Sequence, residues 1–331
     1  MKRVVIAVVA VGIASLGLSA NCPGQSVTPR PALVVLNKAE SELAIVEPGT
    51  LKVVGKVTTG PIPHEVAVSA DGKLAVATNY GPERNGTTLS VIDLSTQKEI
   101  HRVDLGELRG PHGILFHGGK AYFTVEGSNS VARYDPAANR VDWSMLTGQD
   151  GTHMLVVSAD GNTIFTANIA SNSVTCLRRD PRKDVWSTTQ IAVGKGPEGI
   201  DLSPDGKEVW AANSGDGTVS IIDVASKKVI QAYDARTKRS NRLKFTPDGA
   251  LVLISDLGSG DLVIVDAAAR KEVKRVHLGK SVEGILMVPD GGRAFVAVSG
   301  DNQVAIFDLK TMSVMSTFST GNDPDGMAWA K

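Results

Sequence analysis

The sequence predicts an all-β fold, a seven-bladed β-propeller of four-stranded blades. Three observations predict it. A degenerate motif returns about every 43 residues, the period of a propeller blade. Each repeat divides into four short apolar-polar alternations separated by Asp-Gly and Pro-Asp-Gly turns. The two ends of the chain carry complementary fragments of one further repeat.

The motif is clearest in GPEGIDLSPDGK, Gly196 to Lys207. Related segments begin at Gly60, Gly110, Gly151, Ser240, Ser281 and Asn322. The fourth unit shows the pattern of strands. Apolar runs at Gly199–Leu202, Glu208–Ala212, Thr218–Val224 and Lys228–Tyr233 predict four strands, with turns at Pro204-Asp205-Gly206 and Gly215-Asp216-Gly217. The C-terminus holds only a first strand, Gly326–Ala330. The N-terminus supplies the other three, Ala32–Leu36, Glu42–Val46 and Lys52–Val57. One blade assembled from both ends closes the ring and removes the free edges of an open array.

Composition agrees with one large β domain. Apolar residues make up 42% of the 331 residues, and 34 glycines suit many tight turns. Lys+Arg and Asp+Glu both number 35, so the net charge gives no reason to expect nucleic acid or an anionic membrane as partner.

Residues 1–20 read as a signal peptide. Lys2 and Arg3 precede the apolar run Val4–Leu18, and Leu18-Ser19-Ala20 offers a cleavage site. The expectation is an exported protein, periplasmic or secreted. It would have a short tail at 21–31, a single propeller at 32–331, no transmembrane segment in the mature chain and a monomeric state. Cys22 follows the apolar run and would permit a lipid anchor, but Asn21 is a poor residue before such a site. Cys176 lies in a strand pattern and reads as a small core residue rather than a disulfide partner.

Strand geometry ranks the functional candidates. The first strand of each blade lines the central channel, and its start shares a face with the end of the second strand. One expected ring is His64, His112, His153, Glu198, Arg242, Glu283 and Asp325. A second is Asn37, Asn79, Glu126, Asn168, Asn213, Asp256 and Ser299. Three histidines on consecutive blades suit a divalent ion such as Zn, Cu or Fe, with Glu126 or Asp325 completing an N/O set. Histidine beside carboxylate equally suits general acid–base chemistry by His112 or His153 with Glu198 or Glu126. Arg242 suits an anionic ligand. The bland alternative is a wet channel mouth whose polar groups pair with one another.

Segments such as VWAANSGDGTVSIIDVASKKV, Val209 to Val229, resemble the YVTN-repeat β-propeller family, and the resemblance covers residues 32–331. It implies the propeller fold. The related propellers include lactonases, virginiamycin B lyase, and the cofactor domains of nitrite and nitrous oxide reductases. The lyase and lactonase relatives place His and Glu at this channel face, as His64, His112, His153, Glu198 and Glu283 do in kind. Fold alone does not choose a function.

The chain has no P-loop, no Cys-x-x-Cys-His, no His-Glu-x-x-His and no Gly-x-Ser-x-Gly. Three readings follow. The leading one is an exported binding propeller that holds a small molecule, a metal or a partner protein at its channel mouth. The second is a metal-assisted hydrolase or lyase acting on a lactone-like ring. The third is a structural surface protein.

Overall fold

The computed structural model describes Thr28 and residues 30–331. It contains seven four-stranded antiparallel sheets. Blade 1 runs through Pro63–Val68, Leu74–Asn79, Thr88–Asp93 and Lys98–Asp104. Blades 2 to 6 start at Pro111, Thr152, Pro197, Ser240 and Val282. Blade 7 is the shared one. Its inner strand is Pro324–Ala330, paired with Ala32–Asn37, which is followed outward by Glu42–Glu47 and Lys52–Thr58. The expected closure is thus observed. The expected strands of the fourth unit are each found within two residues at either end.

The core is divided among the blade interfaces. Seven separate apolar clusters form, one between each pair of neighbours. Between blades 4 and 5, Trp210 is fully buried and meets the Phe245 ring edge-on with centroids 5.4 Å apart. Cys176 is a free thiol buried between blades 3 and 4, as a core residue. Second and third strands are almost wholly buried, whereas the fourth strand is half-buried to exposed along its length. The Ser-x-Asp turns between first and second strands are held locally. Asp205 Oδ1 accepts from Ser203 Oγ at 2.7 Å and from Lys207 N at 3.1 Å.

Every first strand carries a β-bulge near its start. In blade 1 Pro63 pairs with Asn79 and Val66 with Ala77, so His64 and Glu65 together face Thr78. The same shift occurs between Ser240 and Leu243 in blade 5. A bulge re-aims side chains that strict alternation would send to opposite faces. It therefore lets blades 1 and 5 present two polar residues each, His64 with Glu65 and Asn241 with Arg242.

The expected signal peptide and Cys22 lie outside the described residues. Thr28 and Arg30 bond to the carbonyls of Leu94 and Asp71 and so lie against blade 1. Among the described residues, no helix is long and apolar enough to cross a membrane.

Candidate functional site

A cavity of about 440 Å3 occupies the channel mouth. His64, His112, His153, Glu198, Arg242, Glu283 and Asp325 all line it, so the first expected ring converges on one space. One member differs in register. Ser240 pairs with Asp256 as Pro197 pairs with Asn213, so Asn241 is the blade-5 counterpart of Glu198. Arg242 is one residue further along, level with Glu65. Blade 5 has Ser240 in place of the proline that marks this position in blades 1, 2 and 4, so the register is not marked in its sequence.

The second ring needs a larger correction. Asn79, Asn168 and Asn213 are fully buried and turn into their own blades. Asn79 Nδ2 donates to Thr88 and Ser90, Asn168 Nδ2 to Ser173 and Thr175, and Asn213 Nδ2 to Thr218 and Ser220. They clamp second strands to third strands and do not line the cavity. The wall is made by the next residue in six of the seven blades: Lys38, Tyr80, Glu126, Ile169, Ser214 and Leu257. Glu126 belongs to this set, in a one-turn 3-10 segment after its strand. Lys38, Tyr80, Arg84, Glu65 and Asn241 are functional-site residues that sequence reading missed.

The cavity has two chemically distinct halves. On one side, His153 Nδ1 lies 2.9 Å from Glu126 Oε2. Tyr80 Oη donates to the same carboxylate at 2.8 Å, and Arg84 Nη1 is 2.9 Å from its other oxygen. Burial opposes the Glu126 carboxylate, but the bonds from His153 and Tyr80 outweigh it and hold its carboxyl below the usual range. Burial and the Glu126 charge raise the Tyr80 phenol, so it remains a donor. His153 Nε2 is buried without a hydrogen-bond partner. It is 4.0 Å from Glu198 Oε1, too far for a bond. Glu198 Oε1 instead accepts from Asn241 Nδ2 at 2.7 Å.

The other half is a network of opposite charges. Lys38 bonds Glu283 and lies 3.3 Å from Asp325. Burial opposes the Lys38 ammonium, yet Asp325 and Glu283 outweigh it and raise its pKa. Burial beside Asp325 pushes the Glu283 carboxyl up to about 7, although Lys38 pulls the other way. Deeper in the channel, Arg242 Nε donates to Glu65 Oε1 at 2.9 Å and Nη2 bonds the same oxygen. Blades 1 and 5 are not neighbours, so this pair spans the channel.

The three histidines form a row rather than a tripod. His112 Nε2 and His64 Nδ1 share a hydrogen bond of 3.1 Å, and the His112 and His153 rings stack with centroids 3.8 Å apart. Burial pulls the His64 pKa down to about 3 and that of His112 well below the usual value. Among the described residues no group of three or more His, Cys, Asp or Glu is disposed to hold a metal ion. His64, His112 and His153, expected at a Zn, Cu or Fe site, do not form such a group as they stand. Two imidazole nitrogens are spent on each other, and the third ring is turned by Glu126.

The comparison with known proteins bears on the same blades. The family model of the lactonase, 7-bladed beta-propeller, matches residues 37–237, more than half of the chain. The chain belongs to the lactonase seven-bladed β-propeller family. The matched part of this lactonase-family chain contains His64, His112, Glu126, His153 and Glu198. No curated protein sequence matches it. Among solved structures, a candidate 6-phosphogluconolactonase from Bacteroides uniformis superposes with a TM-score of 0.76 at 16% identity, covering 90% of this chain and 99% of that one. Kuenenia stuttgartiensis hydrazine synthase superposes with a TM-score of 0.74 at 19% identity, covering 89% and 98%. A functionally unknown protein from Desulfotomaculum acetoxidans gives 0.75 at 15% identity, covering 90% and 98%. At these identities the likeness is one of fold.

Proposed function

We infer that this lactonase-family propeller hydrolyses a small lactone-like ring in the channel-mouth cavity, with His153 as the general base. The observation that carries this reading is the Glu126–His153 pair, whose outer nitrogen is left unpartnered. The Glu126 carboxylate accepts the Nδ1 proton, which selects the tautomer with a lone pair on Nε2. That lone pair takes a proton from water as the water oxygen bonds to the lactone carbonyl carbon. Collapse of the tetrahedral intermediate breaks the ring C–O bond, and His153 returns its proton to the leaving alkoxide. Lys38 and Arg242 line the far wall, each already paired with a carboxylate, Glu283 and Glu65. No bound metal is needed in this scheme, because the base is set by Glu126 alone.

The binding reading retains one observation in its favour. Lys38, Glu283, Asp325, Arg242 and Glu65 already satisfy one another, as expected of a preformed recognition surface.

The experiment is hydrolysis of a panel of five- and six-membered lactones by wild type and His153→Ala. Turnover by wild type that falls to the spontaneous rate in the variant supports the enzyme. A panel untouched by wild type, with a ligand still retained at the channel mouth, favours binding.

A further inference from the structure

Seven loops join the second and third strands of the blades on the site face, and six of them contain four residues: 38–41, 126–129, 169–172, 214–217, 257–260 and 299–302. The loop of blade 1, 80–87, contains eight. The insertion is built at a cost. Glu83 and Arg84 are consecutive non-glycine residues in the left-handed region, at φ 53° and 63°. Blade 2 makes room for it. A Cβ on Gly110 would lie 2.8 Å from the Arg84 carbonyl oxygen, and one on Gly127 would lie 3.1 Å from it. Gly110 N also donates to Gly86 O at 2.8 Å.

The strained turn carries the Arg84 side chain to the cavity rim, where Nη1 meets Glu126 Oε1 at 2.9 Å. Tyr80, at the base of the same loop, takes Glu126 Oε2, the oxygen that also faces His153. Both oxygens of that carboxylate are therefore held by one insertion.

We propose that Arg84 is a positioning residue: with Tyr80 it orients the Glu126 carboxylate toward His153, and its charge lowers the basicity of that imidazole. The proposal rests on the reading of His153 as the base. The groups facing His153 are Glu126 at Nδ1, Glu198 at 4.0 Å from Nε2 and the stacked His112 ring; those facing Glu126 are Tyr80 and Arg84. Of these, Arg84 is the one exposed cation. A guanidinium at Glu126 cancels part of the negative field that favours the imidazolium.

The test is the pKa of His153 read from its imidazole resonances by NMR, in wild type, Arg84→Gln and Arg84→Glu, assigned with His153→Gln. Arg84 is exposed, so neither substitution opens the core. The expected order is wild type lowest, then Arg84→Gln higher by about half a pH unit, then Arg84→Glu higher again. The alkaline shift should reappear in the pH profile of kcat/KM. Equal His153 values in the three proteins, or any other order, would overturn the proposal even if wild type hydrolyses lactones. The expected order in a wild type that hydrolyses no lactone would support the positioning arm and remove the proposed reaction instead.

Discussion

His153 Nδ1 sits 2.9 Å from the Glu126 carboxylate, while its Nε2 is buried beside the cavity with no hydrogen-bond partner. An imidazole hydrogen-bonded at one nitrogen and unpartnered at the other is arranged for proton transfer once water or substrate reaches that nitrogen. Glu126→Gln replaces the acceptor-only carboxylate with an amide that can donate as well as accept, so the His153 tautomer is no longer selected. Lactone hydrolysis is expected to drop about 10²–10⁴-fold in kcat, with little change in KM. Steady-state kinetics on a folded variant check this.

Arg242 and Glu65 meet inside the channel, and Arg242 is 4% exposed. Removing one partner strands the other as a buried charge. Glu65→Gln and Arg242→Met are each expected to lose about 3–5 kcal/mol, whereas the double change Glu65→Met/Arg242→Met should lose much less. Chemical denaturation of the three variants gives the comparison.

His64 supplies a pH dependence whose sign can be stated. Its folded pKa is depressed to about 3, so between there and about 6.5 the unfolded chain binds a proton that the folded one refuses. The stability it contributes is complete above 6.5 and is lost as pH falls. Glu283, raised to about 7, works in the opposite direction over an overlapping range and flattens the wild-type curve. The readout is therefore a difference. The stability gap between wild type and His64→Gln should narrow by about 2 kcal/mol from pH 7 to pH 5. A gap that stays constant would contradict the neutral, buried imidazole.

Trp210 tests the interface core apart from the site. Trp210→Ala empties the contact with Phe245 between blades 4 and 5 and is expected to cost about 3–5 kcal/mol. The Glu126–His153 pair lies in blades 2 and 3, so kcat on the surviving folded fraction should be unchanged.

The fold was legible because a propeller repeats its information. The turn residues, strand alternation and split terminal blade each pointed to the same ring. The first ring was legible for the same reason, since His64, His112, His153, Glu198, Glu283 and Asp325 occupy one position of the repeat. Arg242 was misplaced by one residue because Ser240 stands where Pro63, Pro111 and Pro197 mark the register of other first strands. Asn79, Asn168 and Asn213 were misread because a polar residue at a strand end can face a cavity or clamp its own blade, and the difference lies in Ser and Thr partners on the third strand. Tyr80 and Arg84 had a signal that went unused, a loop four residues longer than its six counterparts. Lys38 and Glu65 had none, since their partners are 245 and 177 residues away.

The central claim is that the Glu126–His153 pair makes this cavity a hydrolytic site. The most direct measurement is a pH-stat assay of δ-gluconolactone opening by wild type and His153→Gln, corrected for spontaneous hydrolysis. The account predicts a wild-type rate that rises with pH along a single ionisation and is absent in the variant. Equal rates in both proteins, or none above background in either, would contradict it.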